Sequence, residues 1–255
     1  MGAFVLKIIT VNLRGAVKLL SVGTKLLALV IIFSLCIYSS GLIFQNSDYH
    51  VEALNEITSK STVIIDAGHG GEDCGAIGAS GIYEKDLNLE IANILGALFT
   101  DAGYAVIYTR TEDKLLYTAE EDIHGIRKFS DLKNRCKIGA EYEDSIFVSI
   151  HMNSYTNPKY SGLHTYYSEN SDSSYNLAAA IQSSVKDTLQ PENNRVIKPG
   201  KNMYLLENLE NTAVLIECGF LSNPDECQKL SEKEYQKQLS FAIFCGIINY
   251  IDSQS

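Results

Sequence analysis

Apolar residues fall along this chain in two rhythms. Short runs rich in β-branched residues recur at 63–65, 104–109, 145–151, 163–167 and 213–217. Runs of that length and composition, bounded by Gly, Asp and Asn, predict strands. Between them, apolar residues return every three or four positions. Leu87, Ile91, Ile94, Leu95 and Leu98 make one face of a helix, and Gly103 is placed as its left-handed stop. Residues 131–140 and 174–189 also read as helices. Residues 203–206 read as a weak strand. Asn223-Pro224 is an N-cap followed by proline at the first helical position. Ser231 and Glu234 fit a capping box, with Leu230 and Tyr235 as a hydrophobic staple. Leu239, Ala242, Ile243, Gly246, Ile247 and Tyr250 then form an apolar stripe, with Phe241 and Cys245 beside it expected to help fill the core. Strand, helix and strand over 63–109 make a βαβ unit, hence a parallel pair. The pattern predicts an α/β domain over 62–252, with a mostly parallel central sheet flanked by helices.

One stretch breaks both rhythms. Residues 26–44 contain no charged side chain, and such a length spans a membrane as a helix. Lys7, Arg14, Lys18 and Lys25 precede it, while Asp48, Glu52 and Glu56 follow. That asymmetry puts 1–25 in the cytoplasm and everything after residue 44 outside. A cleaved signal peptide is the rival reading, with Ser39 and Gly41 as small residues at the cleavage site; the protein would then be secreted. Cys36 reads as a membrane-facing apolar residue, and 45–61 as a polar linker.

Charge narrows the partners. Residues 1–61 hold five Lys or Arg and three Asp or Glu, leaving 16 basic and 28 acidic residues in the remainder, a net of −12. Such a domain is repelled by nucleic acid. Five cysteines lie outside the membrane segment, Cys74, Cys136, Cys218, Cys227 and Cys245, with no CxxC pair. An odd count argues against a disulfide framework and for buried thiols.

The chemistry gathers at strand ends. After the first strand comes a loop with six glycines between Gly68 and Gly81, which begins with His69 and leads to Glu84 at the helix start. His151 ends the third strand and Glu217 ends the last. In open α/β sheets ligands bind beyond the carboxyl ends of the strands. Two His and one Glu form a known ligand set for catalytic zinc. A further carboxylate can move the proton of an activated water, and Glu217 suits that role because burial would raise its pKa. Asp66 and Asn153 are placed to support the ligands from behind.

Each residue also has a plainer reading. A single His after a strand is more often structural than a ligand. Glu84 could be a favourable charge at a helix N-terminus, and Glu217 an ion-pair partner. His164 reads as a strand-face residue, His124 as a surface residue in a polar loop over 110–130, and Cys74 as a loop thiol rather than a ligand or nucleophile. HExxH, GxSxG and GxxxxGK[ST] are all absent.

Three ordered motifs carry a resemblance. Val63-Ile-Ile-Asp-Ala-Gly-His-Gly-Gly71, with Gly75-Ala76 and Gly81-Ile-Tyr-Glu-Lys85, resembles the opening of the zinc-dependent N-acetylmuramoyl-L-alanine amidases. Residues 149–154 are similar to that family's second histidine motif, and 213–224 to its catalytic glutamate motif. Thr109-Arg110 is similar too. The resemblance implies one zinc held by His69, Glu84 and His151, with Glu217 as the acid/base. It implies cleavage of the amide between the lactyl group of N-acetylmuramic acid and L-alanine of the peptidoglycan stem peptide. A single N-terminal hydrophobic segment without wall-binding repeats looks most like the germination-specific amidases, which act on spore cortex in making muramic-δ-lactam. The resemblance, with the N-terminal segment, then implies a membrane-anchored enzyme of the cell envelope or forespore intermembrane space; the acidic surface and an incomplete groove make an envelope protein a candidate activator. Cys74 stands where the family often has proline, and 190–201 match no pattern of the family. Residues 111–130 are placed where they could cover the site. Two other readings remain: a zinc peptidase of the stem peptide, and a non-catalytic wall-binding module on the same fold.

Overall fold

A computed structural model describes residues 61–254 apart from His124. The expected segments at 1–25 and 26–44, and all but the last residue of the 45–61 linker, lie outside the described residues. Among the described residues no helix is long and apolar enough to cross a membrane.

Six strands form one sheet: β1 (Val63–Ala67), β2 (Val106–Tyr108), β3 (Ile146–Asn153), β4 (His164–Tyr167), β5 (Lys198–Pro199) and β6 (Thr212–Phe220). Their order is β2-β1-β3-β6-β4-β5. The four strands β2, β1, β3 and β6 run parallel. β4 is antiparallel to β6, and β5 is parallel to β4. Four of the five pairings are parallel, as expected, and the antiparallel β4–β6 pairing makes the sheet mixed. Its central parallel strands β1, β3 and β6 are buried on both faces, as near-continuous runs such as Ile146–Ile150 require.

Helices α1 (Glu84–Asp101), α3 (Asp172–Thr188) and α6 (Lys233–Gln254) pack their apolar faces into the larger core, with Val63, Ile65, Val148, Ile150, Val214 and Ile216 from the sheet. Leu87, Ile91 and Leu95 of α1 are fully buried, each stabilising by about 1.5–3 kcal/mol. Phe99 completes that face, whereas Ile94 and Leu98 are only half-buried. The predicted stop of α1 is a Schellman turn. Gly103 sits at φ 82°, its N–H bonds Thr100 O at 3.0 Å, and Tyr104 N–H bonds Phe99 O at 3.0 Å. Where α6 crosses α3, a β-carbon on Gly246 would come within 2.7 Å of Ile181 Cα, so only glycine permits the approach.

The opposite face carries a smaller core of Ile64, Phe147, Ala213 and Leu215, covered by Leu205, Leu206 and Leu209. Those come from α4 (Tyr204–Asn208), a short helix where the sequence pattern suggested a strand. A period of 2 and a period of 3.6 cannot be told apart over four residues. Residues 110–126 contain little regular structure beyond a 3₁₀ turn at Ala119–Glu121, and α2 (Arg127–Ala140) follows.

Two C-terminal expectations fail. Ser231 is the last residue of α5 (Pro224–Ser231), and its hydroxyl donates to Cys227 O at 2.7 Å instead of capping α6. Phe241 is 56% exposed on the outer side of α6 and fills no core. The Asn223 cap holds: its side chain accepts from Glu226 N at 3.1 Å. Five cysteines are free among the described residues, with Cys218 and Cys227 buried.

Candidate metal centre

The glycine loop after β1 turns because two buried arginines hold its carbonyls. Arg110 donates through Nε to Ala67 O at 2.8 Å and through Nη2 to Gly68 O at 3.0 Å. Arg135 of α2 donates to Ala67 O and His69 O, both at 2.7 Å. Asp66 anchors Arg135 at 2.5 Å and also accepts from Thr109 Oγ1 at 2.7 Å and Ser149 Oγ at 2.5 Å. Burial alone would raise the Asp66 pKa, but Arg135 and the two hydroxyls outweigh it and hold the carboxyl below its ordinary range. His69 adopts φ 61°, a left-handed conformation that costs a non-glycine residue about 1–3 kcal/mol.

That conformation brings three predicted residues together. The ligating atoms of His69, Glu84 and His151 all lie within 4.8 Å of one another. Glu84 Oε1 is 3.2 Å from His69 Nε2 and 3.0 Å from His151 Nδ1. It also accepts from Met152 N at 3.0 Å, and Oε2 accepts from Ala76 N at 2.7 Å. Burial opposes the Glu84 charge, yet the histidines hold its pKa well below the usual carboxylate range. His69 is pulled down by burial and pushed up by Asp73 and Glu84, ending at about 9. Its Nδ1 lies 2.8 Å from Asp73 Oδ2. A proton on Nδ1, held by Asp73, leaves the Nε2 lone pair free toward Glu84, the usual orientation of a metal-ligating histidine.

Space around the cluster is reserved. A β-carbon on Gly68 would overlap the His151 imidazole. One on Gly75, at φ 65°, would lie 2.5 Å from Glu84 Oε2.

Glu217 does not end its strand, because β6 continues to Phe220. It stands directly across from His151 in the β3–β6 ladder. Its Oε2 is buried with no hydrogen-bond partner among the described residues. Burial raises its carboxyl to about 7, with His151 opposing and Glu84 adding to the rise. The donor set, two imidazoles and a carboxylate beside an unpartnered glutamate, fits zinc in a catalytic site.

Other expectations divide. Asp66 supports His69, but through Arg135 rather than by touching a ligand. Asn153 contributes its carbonyl, which accepts from Leu221 N at 2.8 Å, and holds no ligand side chain. Cys74 Sγ donates to Gly75 O at 3.3 Å and stays outside the cluster. His164 is buried, with Nε2 bonded to Val196 O at 2.8 Å. The sequence pointed to Arg110 only as part of the Thr109-Arg110 motif, with no role, and gave no sign of Asp73 or Arg135. An acid four residues after His69 could have flagged Asp73; Arg135 carried no local signal.

Comparison with known proteins agrees with this geometry. The profile of the N-acetylmuramoyl-L-alanine amidase family matches residues 63–249. The germination-specific N-acetylmuramoyl-L-alanine amidase of Bacillus subtilis (strain 168) is 33% identical over 192 residues, covering 75% of this chain and 80% of that protein. The CwlD amidase of Clostridioides difficile, solved in complex with the GerS lipoprotein, is 40% identical with a TM-score of 0.73, covering 76% of this chain and all of that one. An N-acetylmuramoyl-L-alanine amidase from Clostridium difficile 630 is 33% identical with a TM-score of 0.66, covering 76% and 98%. The chain belongs to the N-acetylmuramoyl-L-alanine amidase family and is a peptidoglycan hydrolase.

Proposed function

We propose that His69, Glu84 and His151 hold one zinc ion and that Glu217 is the acid/base of the amide hydrolysis. Zinc supplies Lewis acidity, activating water at neutral pH and stabilising charge that develops on the amide oxygen. Asp73 keeps the His69 proton on Nδ1, and the backbone N–H groups of Ala76 and Met152 orient the Glu84 carboxylate. Glu217 takes the proton of the attacking water and returns it to the departing L-alanine nitrogen. A carboxyl near pH 7 suits both transfers. The observation that carries this reading is the buried, unpartnered Glu217 Oε2 on the strand position opposite His151.

Digestion of purified peptidoglycan tests it. The zinc-loaded protein should release intact stem peptides and leave free lactyl carboxylates. Glu217→Gln should lower the rate by about 10²–10⁴-fold while zinc content stays the same. Shortened stems still attached to sugar would make the chain a peptidase. Absence of bound zinc, or an undiminished Glu217→Gln rate, would overturn the mechanism.

The substrate in the cell is spore cortex on this reading, supported by the likeness to a germination-specific amidase. Residues 26–44 would anchor the enzyme, with the catalytic domain outside the cytoplasm. An envelope lipoprotein would be its partner, supported by the complex solved for a relative. Deleting the gene in a spore former should remove muramic-δ-lactam from cortex; unchanged cortex would reject that assignment.

A further inference from the structure

Beside the N-terminus of α5 lies a cleft of about 550 Å³, lined in part by Gly162, Asn193, Arg195, Asn223 and Glu226. Its lining includes residues 190–195, part of the 190–201 stretch that the family resemblance leaves unplaced. We propose that Arg195 is a substrate-binding residue whose guanidinium holds a free carboxylate of the stem peptide, on its second or third residue. This rests on the amidase reading and extends it.

Arg195 is fixed in place before any ligand arrives. Its backbone N–H donates to Asn193 Oδ1 at 3.0 Å, and its Nε to Ser161 O at 2.8 Å. Its guanidinium lies 4.5 Å over the Phe220 ring and 5.7 Å from the Tyr160 ring. Nη1 and Nη2 have no partner among the described residues, and no carboxylate there forms an ion pair with Arg195. Glu226 is near enough for its charge to be felt, but Gly162 N and Phe220 N occupy its two oxygens at 2.7 Å each. A half-buried guanidinium with one edge anchored and the other free is shaped for a carboxylate.

A β-bulge sets the position of Phe220, the ring beneath Arg195. Across the β3–β6 ladder His151 pairs with Glu217, and Asn153 pairs with Phe220. Met152 on β3 thus faces two residues, Cys218 and Gly219, on β6. The extra residue returns Phe220 to the face that carries Glu217, where simple alternation would turn it away. Consistently, Phe220 is buried yet belongs to neither apolar core. Two strand residues span roughly 7 Å. An extended peptide covers about 3.3–3.6 Å per residue, so a stem cut at its first residue presents its second or third at Phe220 and Arg195.

The test uses the full zinc-loaded chain and three synthetic muramoyl peptides. One carries free carboxylates on the second and third residues, one is amidated at the second, and one at the third. Arg195→Gln should raise KM for the fully free peptide by about 10- to 100-fold with kcat near unchanged. The peptide amidated at the recognised position should show little further effect. Arg195→Lys should restore part of the loss, keeping charge without the fork. Loss of folded enzyme would lower kcat on all three and leave their KM ratios alone. Unaltered KM ratios in Arg195→Gln overturn the assignment. If the wild type cuts none of the three, the amidase reading fails, and the Arg195 assignment fails with it.

Discussion

Gly68 and His151 compete for one volume: a β-carbon on the glycine would lie 2.1 Å from Nε2 of the imidazole. Gly68 directly follows β1 and His151 lies in the neighbouring parallel strand β3; Gly68 N–H bonds Ile150 O at 3.0 Å, so neither backbone can retreat. The ring must move instead, out of the position it holds beside Glu84. Gly68→Ala should therefore lower zinc affinity by about 10- to 100-fold, the scale seen when the orientation of a ligand is lost. The melting temperature should change little, because the ring lies at the site and not in a core. Chelator competition and thermal melting read the two quantities. Unchanged zinc affinity would mean His151 is not a ligand.

Asp73 works on the other histidine. It is a partner of His69, and Lys128 in turn lies 2.9 Å from it. Asp73→Asn should weaken zinc binding about 10- to 100-fold by loosening the His69 ring and its tautomer. Lys128→Ala should do far less, since Lys128 is 63% exposed and exposed pairs contribute at most about 1 kcal/mol. Titration calorimetry of both variants separates them. Equal losses would show that Lys128, not Asp73, orients the site.

Much of this site was legible in the sequence because its chemistry sits in short motifs. His69, Glu84, His151 and Glu217 are all close to strand or helix ends, where β-branched runs stop. The apolar stripe of α6 was legible for the same reason, a period that persists over three turns. What failed was either too short or too distant. Residues 203–206 are four positions, too few to fix a period. Phe241 lies next to the stripe in sequence but about 100° away per residue on a helix, so adjacency misled. Arg135 reaches Asp66, Ala67 and His69 over 66–69 positions of chain, and only the fold brings them together. The reversal of β4 and β5 depends on a connection that no residue type announces.

Metal uptake should depend on pH in a defined sense. In the metal-free chain the His69 pKa is raised from 6.5 to about 9, so the ring is protonated at neutral pH. A ligating imidazole is neutral, so zinc must displace that proton. Apparent affinity should rise with pH, by about tenfold per unit for one proton released, and level off above 9. Calorimetry in buffers of different ionisation enthalpy counts the protons. Proton-neutral binding at pH 7 would contradict the pairing of His69 with Asp73 and Glu84.

Arg135 and Asp66 set the stability of the loop that carries His69. Both side chains are essentially inaccessible to water, and Arg135 also pairs Asp131 at 2.8 Å. Removing one partner leaves a buried charge uncompensated, so Arg135→Met should cost about 3–5 kcal/mol. The double variant Asp66→Asn with Arg135→Met should be less damaged than the sum of the two single changes, because the Asp66 charge is no longer orphaned and only Asp131, which still accepts from Leu116 N, loses its cation. The pH dependence follows from the depressed Asp66 pKa. In the folded chain it lies below its ordinary value of 3.8, so the unfolded chain takes up the proton first. Asp66 therefore stabilises the fold fully above pH 3.8 and loses that contribution as pH falls toward its folded pKa. Denaturant titrations from pH 7 to pH 3 should show the wild type losing stability more steeply than Asp66→Asn at the acid end. Parallel curves would show that Asp66 keeps an ordinary pKa, and that Arg135 serves the loop carbonyls alone.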